Sequence, residues 1–263
     1  MKKLYKTLAY GLLSLGALKL VKKASILAYH SFGDNPAFFT VKEETFRKQM
    51  EYLHKKGFHV ISLRELLEKL RNQEDISNCV SITIDDGYKD NYTIAYPILK
   101  KYNFPATIFV ITDLIGKTYT NSGGVTLPML DSSEIKELMN SGIIEIMSHT
   151  HTHPKLTKIT QKEAEEEISI SKIFLEKNFG KKIDLFAYPK GRYTSEVVNY
   201  LRVSGWLGAV SVKEGLVSLK SNPYLLERTA VDASVDFVQF RGKLNSTVDR
   251  YNKIKNWLLQ KKI

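Results

Sequence analysis

From residue 25 the chain alternates short apolar, β-branched runs with capped amphipathic stretches. The runs at 25–30, 59–62, 80–85, 106–111, 143–147, 185–188 and 207–212 are four to six residues long, the length of buried strands. Between them lie helix signals. Ser62 and Glu65 form the ends of a capping box, in which each side chain satisfies the other residue's backbone N–H. Asp131, with Glu134 three residues on, opens a second helix, and Thr160 with Glu163 opens a long one that ends before Gly180. A shorter helix over 195–204 stops at Gly205. Consecutive parallel strands need a crossover, and a helix is the usual one, so this alternation predicts a mostly parallel sheet in one α/β domain. By itself it leaves open whether that sheet closes as a barrel or stays open and doubly wound. Residues 114–128, with Gly116, Gly123, Gly124 and Pro128, read as a long loop of the kind that carries function.

Four of the runs end in polar groups: His30; Asp85-Asp86-Gly87; Ser148-His149-Thr150-His151-Thr152-His153; and Pro189-Lys190-Gly191. In parallel α/β folds the C-terminal strand edge gathers the βα loops and holds the site. Successive residues of a strand point to opposite sides, so Asp85 and Asp86 are expected to do different work. His149 and His153 present two imidazoles together if the segment turns helically. With one carboxylate they form a two-histidine, one-aspartate metal triad that leaves positions open to water. His151 fits a pocket or supporting role. His54 and His59 lie away from these ends and read as ordinary residues.

Of the 263 residues, 43% are hydrophobic and 25% charged, which excludes a disordered, collagen-like or polytopic membrane chain. The single cysteine, Cys79, excludes both a disulfide framework and a cysteine-based zinc cluster. The net charge of +11 sits at the ends: six lysines and no acid in 1–23, and seven basic residues against Asp249 in 241–263. The body between is nearly neutral. That pattern speaks against nucleic acid as a partner and for an anionic membrane or cell surface met by the basic termini. Lys2, Lys3 and Lys6 precede an apolar stretch over 8–18, the layout of a signal peptide or short N-terminal anchor, with Leu15-Gly16-Ala17 the nearest cleavage-like site. A buried amphipathic helix is the alternative. The expected division is therefore 1–23 as leader or anchor and 24–263 as the catalytic domain.

The motifs resemble the polysaccharide deacetylases of carbohydrate esterase family four. Thr83-Ile84-Asp85-Asp86-Gly87 is similar to their Thr-Phe-Asp-Asp-Gly motif, and His149 to His153 to their His-(Ser/Thr)-x-x-His motif. Phe186-Ala187-Tyr188-Pro189-Lys190-Gly191 stands in place of the third motif, with Ala187 where an arginine is usual and Lys190 where a tyrosine is usual. That variant, together with Tyr29-His30, resembles the poly-β-1,6-N-acetylglucosamine de-N-acetylase branch. The resemblance implies a distorted (β/α) barrel of about seven parallel strands. It implies a metal-dependent hydrolase acting on N-acetylated polysaccharide, exported to the cell surface. Asp86, His149 and His153 would hold one divalent ion: zinc by default, with cobalt, nickel or iron also suited to the ligand set. Asp85 would be general base and His30 general acid. Tyr188, Pro189 and Lys190 would meet substrate, a backbone N–H near Lys190 serving the oxyanion. Arg228 is the candidate substitute for the arginine missing at Ala187. Peptidoglycan, chitin or acetylated xylan are alternative substrates, and a catalytically inactive carbohydrate-binding protein is the alternative of another class.

Overall fold

The computed structural model describes residues 2–14 and 22–260. Seven strands form its centre: β1 (Ser25–Tyr29), β2 (Cys79–Ile84), β3 (Ala106–Val110), β4 (Ile144–Ser148), β5 (Leu185–Ala187), β6 (Gly208–Glu214) and β7 (Leu226–Ala230). Each pairs in parallel with the next in sequence, and β7 pairs with β1, so the sheet closes as a barrel. Closure removes every free edge. It also explains why β1, β2, β3 and β5 are buried at every position and read as unbroken apolar runs.

Two strand assignments shift relative to the sequence pattern. The run at 59–62 yields only His59–Val60, an extra pairing on the start of β2 outside the ring. The ring is completed instead by β7, whose Glu227 and Arg228 interrupt its apolar pattern. Arg228 is 2% exposed, a charge placed inside the barrel.

Helices α2 (Glu43–Lys55), α3 (Leu63–Arg71), α4 (Tyr96–Tyr102), α5 (Ser132–Asn140), α6 (Gln161–Phe179) and α7 (Ser195–Val203) connect the strands and add their apolar faces to one core. The caps form at the expected positions, but the box at Ser62 is only half made, with no return bond from the Glu65 side chain to the Ser62 N–H. Asp131 and Thr160 make reciprocal capping boxes, Ser62 accepts from the Glu65 N–H, and Gly180 ends α6 in the left-handed conformation at φ 65°. The 114–128 segment is a hairpin, Thr118–Thr120 against Thr126–Pro128, rather than a loop without regular structure.

Lys2–Ser14 forms a helix, α1, that packs against α8 (Phe237–Lys243) and α9 (Thr247–Gln260). Tyr10 is fully buried, its ring 5.0 Å from that of Tyr251, and Gly242 leaves no room for a Cβ beneath it. Among the described residues no helix is long and apolar enough to cross a membrane. The cleavage-like Leu15-Gly16-Ala17, and Lys261 and Lys262, lie outside the described residues. Some of the terminal charge serves the fold itself: Lys243 is buried and paired with Glu214, and Lys23 meets Asp249 at 2.7 Å.

Candidate active site

The polar groups that follow β1, β2, β4 and β5 converge on one cavity of about 280 Å³ at the C-terminal end of the barrel. Asp85, Asp86, His30, His149, His153 and Lys190 all line it.

The chain reaches this geometry by bending sharply at each strand end. Asp86 leaves β2 at φ 72°, followed by Gly87 at φ 81°. A Cβ at Gly87 would lie 2.9 Å from Val110 Cγ1, so the turn requires glycine for its space as well as its φ. His149 and His153 are not on a helix; the segment is a bent loop in which Thr150 (φ 69°) and His153 (φ 64°) are left-handed. For a β-branched residue such as Thr150 that conformation is strained. Hydrogen bonds hold the bend. Thr150 Oγ1 accepts the His153 N–H at 3.0 Å, and Glu167 of α6 accepts the N–H groups of His151 and Thr152 at 2.9 and 2.7 Å. The two imidazoles thus come together not on a helical turn but on a loop anchored on a distant carboxylate. His151 points away, its Nδ1 2.9 Å from Thr112 Oγ1, and it fastens the loop rather than lining the cavity.

Asp86, His149 and His153 form a compact donor set. The two Nε2 atoms lie 3.5 and 3.6 Å from Asp86 Oδ1, and all three donors fall within 4.8 Å of one another. Tetrahedral bonds of about 2.0–2.1 Å would set donors about 3.3 Å apart, so two edges of a divalent-cation site already exist. His149 Nδ1 donates to the Ala187 carbonyl at 2.8 Å, which leaves the Nε2 lone pair facing Asp86. Burial, and then His149 when it is protonated, push the His153 pKa down to about 4, which keeps His153 in the neutral form a cation needs. For Asp86 burial works upward, but the contact with His149 and the charges of His30 and His153 leave its pKa lowered.

Asp85 has a different environment. Arg228 donates from Nη1 to Asp85 Oδ1 at 2.8 Å and from Nη2 to Oδ2 at 2.7 Å. The guanidinium is itself fixed, with Nε donating to the Ser211 carbonyl at 2.8 Å and Nη1 to Thr83 Oγ1 at 3.1 Å. Burial alone would raise the Asp85 pKa; the bidentate cation reverses the sign and holds it down. Ala187, where the family's motif has arginine, is fully buried and contributes its carbonyl to His149.

His30 is half-buried across the cavity, its ring 5.5 Å from that of Phe39, and its backbone carbonyl accepts from Asn91 Nδ2 at 2.8 Å. At the third motif only Lys190 reaches the cavity. Tyr188 is buried in the core and its hydroxyl donates to the Tyr224 carbonyl at 2.9 Å; Pro189 is also buried and lines no part of the site. Tyr188 and Pro189, expected to meet substrate, are thus packed beside the cavity and shape the turn that presents Lys190 at φ 53°. The turn's own hydrogen bonds are donated by Gly191 and Arg192, so neither uses the Lys190 N–H. Sequence reasoning did not find Glu167, Tyr88, Phe39 or Asn121, none of which lies in a metal-type spacing.

The model of the polysaccharide deacetylase family matches residues 72–206. The chain belongs to that family. It is 32% identical over 225 residues to YxkH of Bacillus subtilis (strain 168), named for the polysaccharide deacetylases, covering 85% of this chain and 77% of that one. It is 29% identical over 201 residues to a poly-β-1,6-N-acetyl-D-glucosamine N-deacetylase of Staphylococcus aureus, covering 73% of this chain and 68% of that one. Among solved structures, the Streptococcus pyogenes deacetylase PplD in complex with acetate superposes with a TM-score of 0.74 at 27% identity, over 86% of this chain and 99% of that one. IcaB from Ammonifex degensii shares the fold with a TM-score of 0.73 at 23% identity, over 81% of this chain and 94% of that one. The protein is thus a deacetylase-family hydrolase on a seven-stranded parallel barrel, with a candidate Asp-His-His metal site.

Proposed function

We propose that this polysaccharide deacetylase removes N-acetyl groups from an N-acetylglucosamine polymer, with poly-β-1,6-N-acetylglucosamine as the substrate. The observation that carries the reaction is the division of labour between two adjacent carboxylates. Asp86 faces two imidazoles at 3.5 and 3.6 Å, and Asp85 is paired with Arg228 at 2.7 Å. The Staphylococcus aureus relative, by its name, supports the polymer.

An amide needs an activated water, a stabilised oxyanion and a proton for the leaving amine. A divalent ion at Asp86, His149 and His153, zinc first among the candidates, would lower the pKa of water toward about 7 and polarise the acetyl carbonyl. Asp85, kept ionised by Arg228, takes the proton from water as its oxygen attacks the acetyl carbon. The Lys190 N–H donates to the oxygen that gains charge. As the C–N bond breaks, His30 delivers a proton to the sugar nitrogen; acetate and a free amine result. The setting we propose is the cell exterior or surface, where such a polymer lies and where the basic termini would face anionic groups.

The test is acetate release from β-1,6- and β-1,4-linked N-acetylglucosamine oligomers by metal-loaded full-length protein. The expected outcome is release from the β-1,6 oligomer, abolished by chelation and restored by a divalent ion. Preference for β-1,4 oligomers would move the substrate to chitin or peptidoglycan. No release from either would overturn the reading.

A further inference from the structure

The groups that carry the chemistry have partners or a cation to hold. Two other groups of the same cavity do not. The Tyr88 hydroxyl and Asn121 Nδ2 are both shielded from water and neither makes a well-formed hydrogen bond, although the Tyr88 hydroxyl faces the Asp86 carboxylate, which together with burial holds its pKa up. Among the described residues, they are the buried side-chain polar groups without such a bond that belong to the lining of this cavity. Tyr88 is fully buried and Asn121 is 9% exposed. A buried donor left unpaired destabilises the fold, so its persistence calls for a reason.

Both groups are fixed. The Tyr88 ring stacks on Phe39 with centroids 5.5 Å apart, and its backbone bridges to Met129 beside the hairpin. Asn121 sits at the hairpin tip, where its Oδ1 accepts the N–H of Gly123 at 2.8 Å and of Val125 at 3.4 Å. The turn thus consumes the acceptor end of the amide and leaves the donor end over. Two separate segments, one following β2 and one in the 114–128 hairpin, bring unsatisfied donors to a cavity that already holds a hydrolytic cluster. Sugar residues are rich in acceptor oxygens, on hydroxyls and on the acetyl group.

We propose that Tyr88 Oη and Asn121 Nδ2 recognise the sugar, donating hydrogen bonds to oxygens of the N-acetylated residue whose acetyl group lies against Asp86, His149 and His153. This rests on the deacetylase reading above and extends it to substrate recognition. A site built to pair with a polar substrate group discriminates against ligands that leave it unpaired. The hairpin is then the element that carries part of the specificity.

Two near-isosteric variants test this. Tyr88→Phe keeps the ring and its stack. Asn121→Asp keeps the oxygen that the turn uses and removes the donor. Both are made in the metal-loaded full-length chain, singly and together. KM for the β-1,6-linked oligomer is measured in the otherwise native enzyme, and its Kd in the Asp85→Asn background, where turnover is slow. Each variant is expected to weaken binding about three- to tenfold, the scale of one net hydrogen bond, and to raise KM in step while kcat changes less than about twofold. Melting temperature should stay at or above the parent value, since each variant removes an unpaired buried donor, and metal content should stay at the parent value. Unchanged affinity in both variants overturns the subsite, as does a loss of metal or of melting temperature that accompanies any weakening. If the parent binds the oligomer but releases no acetate, the deacetylase reading fails and the subsite is still decided by Kd. If the variants match the parent in an active enzyme, the subsite fails and the deacetylase reading stands.

Discussion

Asp85 and Asp86 are neighbours in sequence, yet they belong to different halves of the molecule. Asp86 joins the β2–β4 half, where His149 and His153 stand 3.5 and 3.6 Å from its carboxylate. Asp85 joins the half made by β5 to β7, where Arg228 grips both its oxygens at 2.8 and 2.7 Å. The first half is built from two short motifs, each local in the chain. The second is built from an arginine 143 residues away, on the strand that closes the barrel. The difference shows what a lost motif residue requires. Ala187 offers His149 its backbone carbonyl, and the cation beside Asp85 comes from Arg228 on β7. In the function proposed above, Arg228 takes the place of the arginine that the family's motif carries at that position.

The largest expected effect falls on the Arg228 half. Asp85→Asn should slow deacetylation by about 10²–10⁴-fold, the usual weight of a general base, as measured by initial rates of acetate release. Similar rates in both proteins would contradict the assignment.

Arg228→Met comes next. It leaves an ionised carboxylate buried without its partner, a defect worth about 3–5 kcal/mol of folding stability. The double variant Asp85→Asn/Arg228→Met should recover much of that loss in chemical denaturation, because no charge is then stranded. The pH dependence follows in sign. The folded Asp85 pKa is held below its ordinary 3.8, so the stability it contributes is complete above that value and is lost as pH falls through the folded pKa. In Arg228→Met the upward push of burial is no longer offset, so the sign reverses: protonating Asp85 relieves the stranded charge, and the stability deficit against the parent should shrink as pH falls from about 7 to 3; a deficit that stays constant over that range would count against the clamp.

His30→Ala should have a smaller effect, about 10²-fold in kcat on the natural amide, because a general acid matters in proportion to the poverty of its leaving group. A substrate with a better leaving group should lose much less. Equal losses on both substrates, or a large fall in melting temperature, would make His30 a structural residue.

Much of this was legible in the chain. The strand ends at His30, Asp85-Asp86, His149–His153 and Lys190 point to one cavity from the sequence alone, because parallel α/β topology collects such ends on one edge. The same local reasoning misplaced a strand. His59 is a short apolar run's start and lies outside the barrel, whereas Leu226–Ala230 carries two charges and forms the closing strand. Pattern recognition prices a charge as exposed, and Arg228 is buried because Asp85 is there to receive it. The histidine loop brings its two imidazoles together by a different route. Its spacing suggests a helical turn, but Glu167 of α6 supplies the hydrogen bonds that make a strained bend the better solution. Tyr88 and Asn121 carry no motif; only the enclosure of their donors marks them.

The division between the two aspartates is the centre of the account, and metal content measures it directly. Asp86→Ala and Asp85→Asn proteins, purified alongside the parent and loaded with the same divalent ion, should differ sharply. Asp86→Ala should lose most of its bound metal, while Asp85→Asn should keep one ion per chain at the parent level and yet be slow. Full metal in Asp86→Ala, or loss of metal in Asp85→Asn, would contradict the account.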